Sequence, residues 1–176
     1  MSRTMIAVGG ALILLGVLLL LRCGGGTTGP GGVAPEPAAH MLAYTDCKMF
    51  DTRSTVFYVS SNLDCISYAY DTQSTLHITR TNAGFNCCPD SFTVSVDVDS
   101  TVITVTEVEW LTNPCHCLCL YDLEYEISGV PPGMVTLRID EPYLESGDDT
   151  LELIVNLATN PVGSVCVTRN HYPWGQ

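Results

Sequence analysis

Cysteine is the residue type in this chain whose number and spacing most directly suggest chemistry. Cys23 follows an apolar segment and opens a Gly-rich stretch, so it stands apart from the other cysteines. In an exported protein the remaining even set of eight predicts a disulfide framework. These disulfide candidates are Cys47, Cys65, Cys87, Cys88, Cys115, Cys117, Cys119 and Cys166.

Local geometry excludes some pairings among the eight. Cys115, Cys117 and Cys119 alternate along a run typical of a strand, which would place neighbouring Cα atoms roughly 6.5 to 7 Å apart and turn all three thiols inward. Disulfides prefer shorter separations. Cys87 and Cys88 are adjacent, with Cα atoms about 3.8 Å apart, which is closer than usual for a disulfide. We therefore expect the three strand cysteines to pair with other members of the set, in a connectivity that stays open.

Metal binding is the alternative use of these thiols. Cys87, Cys88, Cys115, Cys117 and Cys119 offer soft thiolates, which suit copper(I) or zinc. Structural zinc sites usually place two to four residues between paired ligands, whereas alternation along a strand spreads the ligands. Disulfides are the favoured interpretation, with no metal or other cofactor expected, and a thiolate metal site is the alternative.

The N-terminus predicts export and attachment to a membrane. Residues 1–22 combine a short basic start with an uncharged apolar segment, as a signal peptide or a short membrane anchor does. Residues 23–39 are rich in Gly and Pro and predict a flexible tether. Cys23, at the junction, is the candidate lipidation site. Residues 40–176 are then a domain displayed outside the cytoplasm.

The charge balance excludes one class of partner. The chain has 19 acidic residues against 7 Lys and Arg, a formal net charge of −12. Such a surface repels phosphate backbones and anionic lipid headgroups. We expect no nucleic-acid partner and no polybasic attachment to a membrane surface.

Alternation of apolar and polar residues recurs along residues 40–176, whereas helical periodicity does not. Gly, Pro, Asn and Asp separate the alternating segments, as they do between short strands. The pattern predicts an all-β domain, an antiparallel β-sandwich with immunoglobulin-like layering, with a Greek-key barrel as the alternative. The predicted strands are 55–60, 65–71, 74–80, 92–99, 101–110, 115–128, 134–140, 150–157 and 164–169.

Recognisable catalytic motifs are missing from the sequence. No nucleophile elbow, zinc-protease helix or phosphate loop is found, so we name no catalytic residue and expect a protein that is not an enzyme. Tyr172 and Trp174, near the C-terminus, predict either packing at the edge of the sandwich or an aromatic patch that binds a protein or glycan.

Two runs of sequence carry a resemblance. With the start at Cys23, the run CHCLCLYDLEY from Cys115 to Tyr125 and the closing RNHYPW from Arg169 to Trp174 resemble uncharacterised bacterial cell-envelope lipoproteins. The resemblance implies a membrane-anchored, extracytoplasmic location and β architecture, and it brings no activity. We expect a non-catalytic envelope lipoprotein that acts as a structural or interaction module. A thiolate metal-binding envelope protein is the alternative.

Overall fold

The fold was analysed in a computed structural model that describes residues 36–48 and 59–175, and these residues form two β-sheets. The predicted all-β sandwich is confirmed, since the two sheets face each other and do not close into the alternative barrel. None of the described residues belongs to a helix long and apolar enough to cross a bilayer. The strands are β1 (Ala38–Tyr44), β2 (Leu63–Tyr70), β3 (Leu76–Asn86), β4 (Ser91–Asp99), β5 (Val102–Trp110), β6 (Leu118–Ser128), β7 (Met134–Asp140), β8 (Glu152–Asn156) and β9 (Val162–Thr168).

The larger sheet has the strand order β1-β6-β3-β2-β9, and the smaller sheet has the order β4-β5-β7-β8. The ladder between β5 and β7 is parallel and the other described ladders are antiparallel. This one ladder departs from the predicted antiparallel pairing. The reason is topological. The chain leaves the smaller sheet after β5, runs back through the larger sheet as β6, and re-enters the smaller sheet as β7 in the same direction as β5.

The cysteine run before β6 differs from the prediction. The β3–β6 ladder ends where Asn86 pairs with Leu118, so Cys115 and Cys117 precede the strand. Beyond Asn86 strand β3 has ended and offers no partner that would continue the ladder. Cys119 is buried as predicted, whereas Cys117 is exposed, so the expectation that all three thiols point inward is wrong.

The N-terminal side of the domain carries a strand that the sequence pattern did not indicate. Strand β1 begins at Ala38, inside the stretch predicted as tether, and pairs with β6. Of the strand predicted at 55–60, residues 55–58 lie outside the described residues and residues 59 and 60 are not in a strand. The predicted signal or anchor segment, and Cys23 with it, also lies outside the described residues.

Aromatic side chains join the two sheets in the core. Phe85 of β3 and Tyr121 of β6 meet Phe92 of β4 edge to face, with ring centroids 4.9 and 5.1 Å from that of Phe92. All three rings are buried. Such edge-to-face pairs add to the free energy gained by burying the rings.

A β-bulge interrupts β3 between Arg80 and Ala83, opposite β6. Thr81 and Asn82 together occupy the space opposite one residue, and Asn82 has a positive φ of 64°. Asn is one of the few residues that adopts this left-handed backbone readily. Arg80 points into the core because it continues the alternation of the buried Leu76 and Ile78, and the bulge that follows brings the backbone N–H of Asn82 within 3.1 Å of the Asp122 carboxylate on β6.

Candidate functional site

The eight cysteines of the domain form four disulfides. Cys65 and Cys166 stand directly opposite each other on β2 and β9, with Cα atoms 4.0 Å apart. Cys47, after β1, is joined to Cys119 of β6. The other two disulfides are Cys87–Cys117 and Cys88–Cys115. This connectivity agrees with both exclusions made from the sequence.

Two of the disulfides lie side by side where β3 ends and the segment before β6 begins. The buried side chain of Asn86 organises this region. Its Oδ1 accepts hydrogen bonds from the backbone N–H groups of Cys88 and Cys115, at 3.0 and 3.1 Å, and its Nδ2 donates to the carbonyl of Cys115 at 2.7 Å. Asn86 therefore holds the two cysteine segments together independently of the sulfurs. The sequence analysis missed this role, for which the signal was a polar residue directly before Cys87.

The five cysteines of the alternative metal site all take part in these disulfides. The sulfurs of Cys87, Cys88 and Cys115 lie within 4.8 Å of one another, and Cys117 is bonded to Cys87. Cys119 belongs to a different disulfide, with Cys47. A metal ligand must be a thiolate, so the oxidised sulfurs do not serve as ligands. The proposed five-cysteine set therefore separates into four cysteines that form two neighbouring disulfides and Cys119, which is bonded to Cys47.

A network of charged side chains is buried between the sheets. Arg80 contacts Asp64, Glu107 at 3.2 Å and Glu141 at 2.8 Å. Arg169 contacts Asp64 at 3.2 Å and Glu141 at 2.6 Å. The side chains of these five residues are at most 4% exposed. No described buried side-chain nitrogen or oxygen lacks a hydrogen-bond partner, so the charges are compensated in place.

The network contains three carboxyl groups and two guanidinium groups. Burial raises the pKa of Glu141 to about 8, and its hydrogen bond with Asp64 adds to the effect. Burial also raises the pKa of Glu107. Burial opposes the charge of Arg80, but the three facing carboxyls raise its pKa well above the usual value. A proton on Glu141 therefore reduces the excess of carboxylate charge over guanidinium charge in the network.

Tyr125 completes the network from the larger sheet. Its hydroxyl donates a 2.9 Å hydrogen bond to Glu107, and burial together with the negative charge of Glu107 raises the pKa of Tyr125 well above 10. The sequence analysis missed this whole network. The available signal was the position of Glu107. This charged residue continues the alternation of Ile103 and Val105, which are buried, so its side chain also points inward.

The structure assigns different roles to the two residues of the predicted aromatic patch. Trp174 is 3% exposed, its Nε1 donates to the carbonyl of Asn82 at 2.8 Å, and its ring lies 5.8 Å from the guanidinium carbon of Arg169. Tyr172 is about half exposed, and its hydroxyl is hydrogen-bonded to both backbone groups of Leu118. The expectation of a shared binding patch is therefore not met by Trp174, whose ring packs inside the domain.

A surface pocket of about 500 Å³ lies beside Trp174 and is lined by polar residues, among them Asn62 and His171. The Nε2 of His171 faces Asp148 at 2.7 Å, and its Nδ1 faces the carbonyl of Tyr172 at 3.0 Å. Burial opposes the charged ring, but these acceptors raise the pKa of His171. With both nitrogens engaged, this imidazole has no free lone pair for a general base.

The site as a whole consists of covalent braces and compensated charges. Comparisons of the chain with protein-family models, with curated proteins and with solved structures found no match. The disulfides restrict the unfolded chain, and the ion network favours one arrangement of the two sheets over others.

Proposed function

We propose that this chain is a non-catalytic, membrane-anchored lipoprotein of the bacterial envelope whose sandwich serves as a structural or interaction module. The observation that carries the proposal is the pairing of all eight domain cysteines into four disulfides. Disulfides persist in oxidising compartments outside the cytoplasm. Four disulfides also stabilise the folded domain by restricting the unfolded chain.

The N-terminal sequence supports anchoring. The apolar segment ending before Cys23 fits a signal or anchor, and the Gly-rich and Pro-rich stretch after it fits a tether. Lipid on Cys23 would leave eight cysteines for pairing, which is the number that the disulfides use. The partner would be the membrane on one side and a protein or glycan on the other.

The chemistry of the buried groups supports a role without catalysis. Burial raises the pKa of Glu107 and of Glu141. Arg80 contacts both acids, and Arg169 also contacts Glu141. A catalytic acid must reach a substrate proton at hydrogen-bond distance. Side chains that are at most 4% exposed do not offer this access.

Mass spectrometry and fractionation of the full chain expressed in a bacterium test the proposal. We expect the protein in the membrane fraction, with lipid on Cys23 and no alkylatable thiol before reduction. The Cys23→Ala variant should lose the lipid while keeping the four disulfides. A wild-type protein that is cytoplasmic, or that carries free thiols, would contradict the proposal.

A thiolate metal-binding role is the second candidate, favoured by the 4.8 Å cluster of Cys87, Cys88 and Cys115 sulfurs. Metal analysis of the purified protein separates the two candidates. Stoichiometric zinc or copper, together with thiols that become alkylatable after chelation, would support the metal role. Protein without metal and without such thiols supports the disulfide-braced module.

A further inference from the structure

A lysine, an asparagine and an aspartate meet on the side of the larger sheet. The Nζ of Lys48 donates to the Oδ1 of Asn82 at 2.7 Å and lies 2.5 Å from the Oδ1 of Asp122. Asn82 is fully buried, and the side chain of Lys48 is 10% exposed. The amine of Lys48 is therefore in direct contact with a buried carboxamide and with the carboxylate of Asp122, whose side chain is 31% exposed.

The lysine is held in this position by its neighbours. Cys47, the preceding residue, is bonded to Cys119 of β6, and the backbone N–H of Lys48 donates to the carbonyl of Leu120 at 2.9 Å. Thr45 and Asp122 also exchange two hydrogen bonds of 3.0 Å. The segment carrying Lys48 is thus fixed along β6, so little entropy remains to be lost when Nζ approaches Asn82.

The carboxamide is oriented as well. The Nδ2 of Asn82 donates to the carbonyls of Ser60 and Leu63, at 3.0 and 2.7 Å, which directs Oδ1 toward Lys48. The backbone N–H of Asn82 donates to Asp122 at 3.1 Å. Because Nζ touches Oδ1, the carbonyl carbon Cγ is one bond beyond an atom already in contact. With a carbonyl bond of about 1.23 Å, Nζ lies at most about 3.9 Å from Cγ, compared with the ~3–3.5 Å of a conformer ready for attack.

We propose that Lys48 and Asn82 become joined by an isopeptide bond within the chain, with Asp122 as the general acid–base that carries the protons. This self-modification goes beyond the module proposed above and does not depend on lipidation or on a partner. Lysine serves as a nucleophile when a neighbouring group removes its proton, and Asp122 is placed to do this.

The reaction balances without any added reagent. Asp122 takes a proton from the Lys48 ammonium, and Nζ attacks Cγ of Asn82. The bond between Cγ and Nδ2 then breaks, and Nδ2 leaves as an ammonium ion after receiving two protons that Nζ gave up through Asp122. The products are one secondary amide, one ammonium ion and the regenerated Asp122 carboxylate. Nothing is oxidised or reduced.

The bond would connect the segment after β1 to the bulge of β3. The predicted tether precedes β1 in the sequence, and the described pairing of β1 within the larger sheet is with β6. A pull on the tether would otherwise be resisted by hydrogen bonds and by the Cys47–Cys119 disulfide. An amide between Lys48 and Asn82 resists reduction, so it would retain the connection to β3 when a reductant opens the disulfide.

Peptide mapping of the full chain tests the inference. The purified protein is reduced, alkylated and digested with trypsin, which cleaves after an unmodified lysine. We expect no cleavage after Lys48 and a branched peptide that joins positions 48 and 82 and is lighter than its two parts by one ammonia. Complete cleavage after Lys48, with Asn82 in a linear peptide of unchanged mass, would overturn the inference.

Two variants separate the bond from other chemistry. Lys48→Arg keeps the positive charge and the hydrogen-bond donors but should give no branched peptide. Asp122→Asn keeps the shape and should slow the formation of the branched peptide by about 100-fold, the lower end of the usual rate contribution of a general acid–base, as followed by a time course after refolding. A succinimide at Asn82 also loses ammonia, but that loss would persist in Lys48→Arg, and this result would count against the isopeptide. Cross-linking of Asp122→Asn at the wild-type rate would refute the role of Asp122.

Discussion

Glu141 and Arg169 lie in contact at 2.6 Å although they come from opposite sheets. Glu141 directly follows β7 of the smaller sheet, and Arg169 directly follows β9 of the larger one. The guanidinium of Arg169 also donates to the carbonyl of Asp149 at 2.5 Å, which fixes the loop after β7. The pair therefore connects the two sheets at the point where strands β7 and β9 end.

The protonation of Glu141 predicts how stability depends on pH. Its pKa is about 8 in the folded protein, raised from an ordinary 4.5. Between these values the folded state holds a proton that the unfolded state has released. The free energy of unfolding should therefore fall as pH rises through this window, by at most about 1.4 kcal/mol per pH unit from this group. Urea unfolding between pH 5 and 9 measures the slope.

The Glu141→Gln variant is the control for this slope. Glutamine keeps a neutral side chain with a donor and an acceptor, and it does not titrate. The raised pKa values of Glu107 and His171 act in the same direction, but they are present in both proteins. We expect the unfolding free energy of the variant to fall less steeply with pH, by the contribution of one titrating group. Parallel curves for the two proteins would show that Glu141 is ionised throughout the range.

Removing Arg80 should be far more costly than removing an exposed arginine. Arg80→Leu leaves Asp64, Glu107 and Glu141 with one cation among them, and we expect a loss of about 3–5 kcal/mol in unfolding free energy. Arg138, whose side chain is 46% exposed and paired with Glu152, provides the matched control. Arg138→Leu should cost about 1 kcal/mol or less. Chemical denaturation of both variants tests the difference, and equal losses would contradict it.

The strands were predictable where one face is buried and the other is wet. In β6 the buried Tyr121, Leu123 and Tyr125 alternate with more polar residues, and the alternation predicted this part of the strand correctly, although the strand begins at Leu118 and not at Cys115. Strand β1 was missed because its residues are mostly exposed and show no clear alternation of residue type. Its position is set by pairing with β6, which is a tertiary effect that a local pattern does not contain.

The site was less predictable than the strands because its parts come from distant segments. Spacing along a strand excluded some cysteine pairings, but the choice of Cys47 for Cys119 depends on where β1 lies. Asp64 and Arg169 are 105 residues apart and meet only after β2 and β9 have paired. Charged residues are usually exposed, so the local sequence gives no reason to expect that these two are buried together.

Gly84 and Trp174 should be energetically coupled. A Cβ at Gly84 would overlap the six-membered ring of the Trp174 indole, and that rigid ring is buried. Gly84→Ala should therefore cost about 1–3 kcal/mol by overpacking, and Trp174→Ala about 3–5 kcal/mol by leaving a cavity. In the double variant the added methyl enters vacated space. A double-mutant cycle should give a loss clearly below the sum, and strict additivity would refute the contact.

The four disulfides should differ in how readily a reductant opens them. Cys88 is exposed and Cys115 is partly exposed, whereas Cys119 is buried and its partner Cys47 is partly buried. Thiol–disulfide exchange requires that the attacking thiolate reach a sulfur, so access controls the rate. Limited reduction of the native protein, followed by alkylation and peptide mapping, should label Cys88 and Cys115 before Cys47 and Cys119.

Because Asn86 still links the segments of Cys88 and Cys115, this first reduction should leave the domain folded. Labelling of Cys47 and Cys119 first, or loss of the folded state with the first pair, would contradict this order.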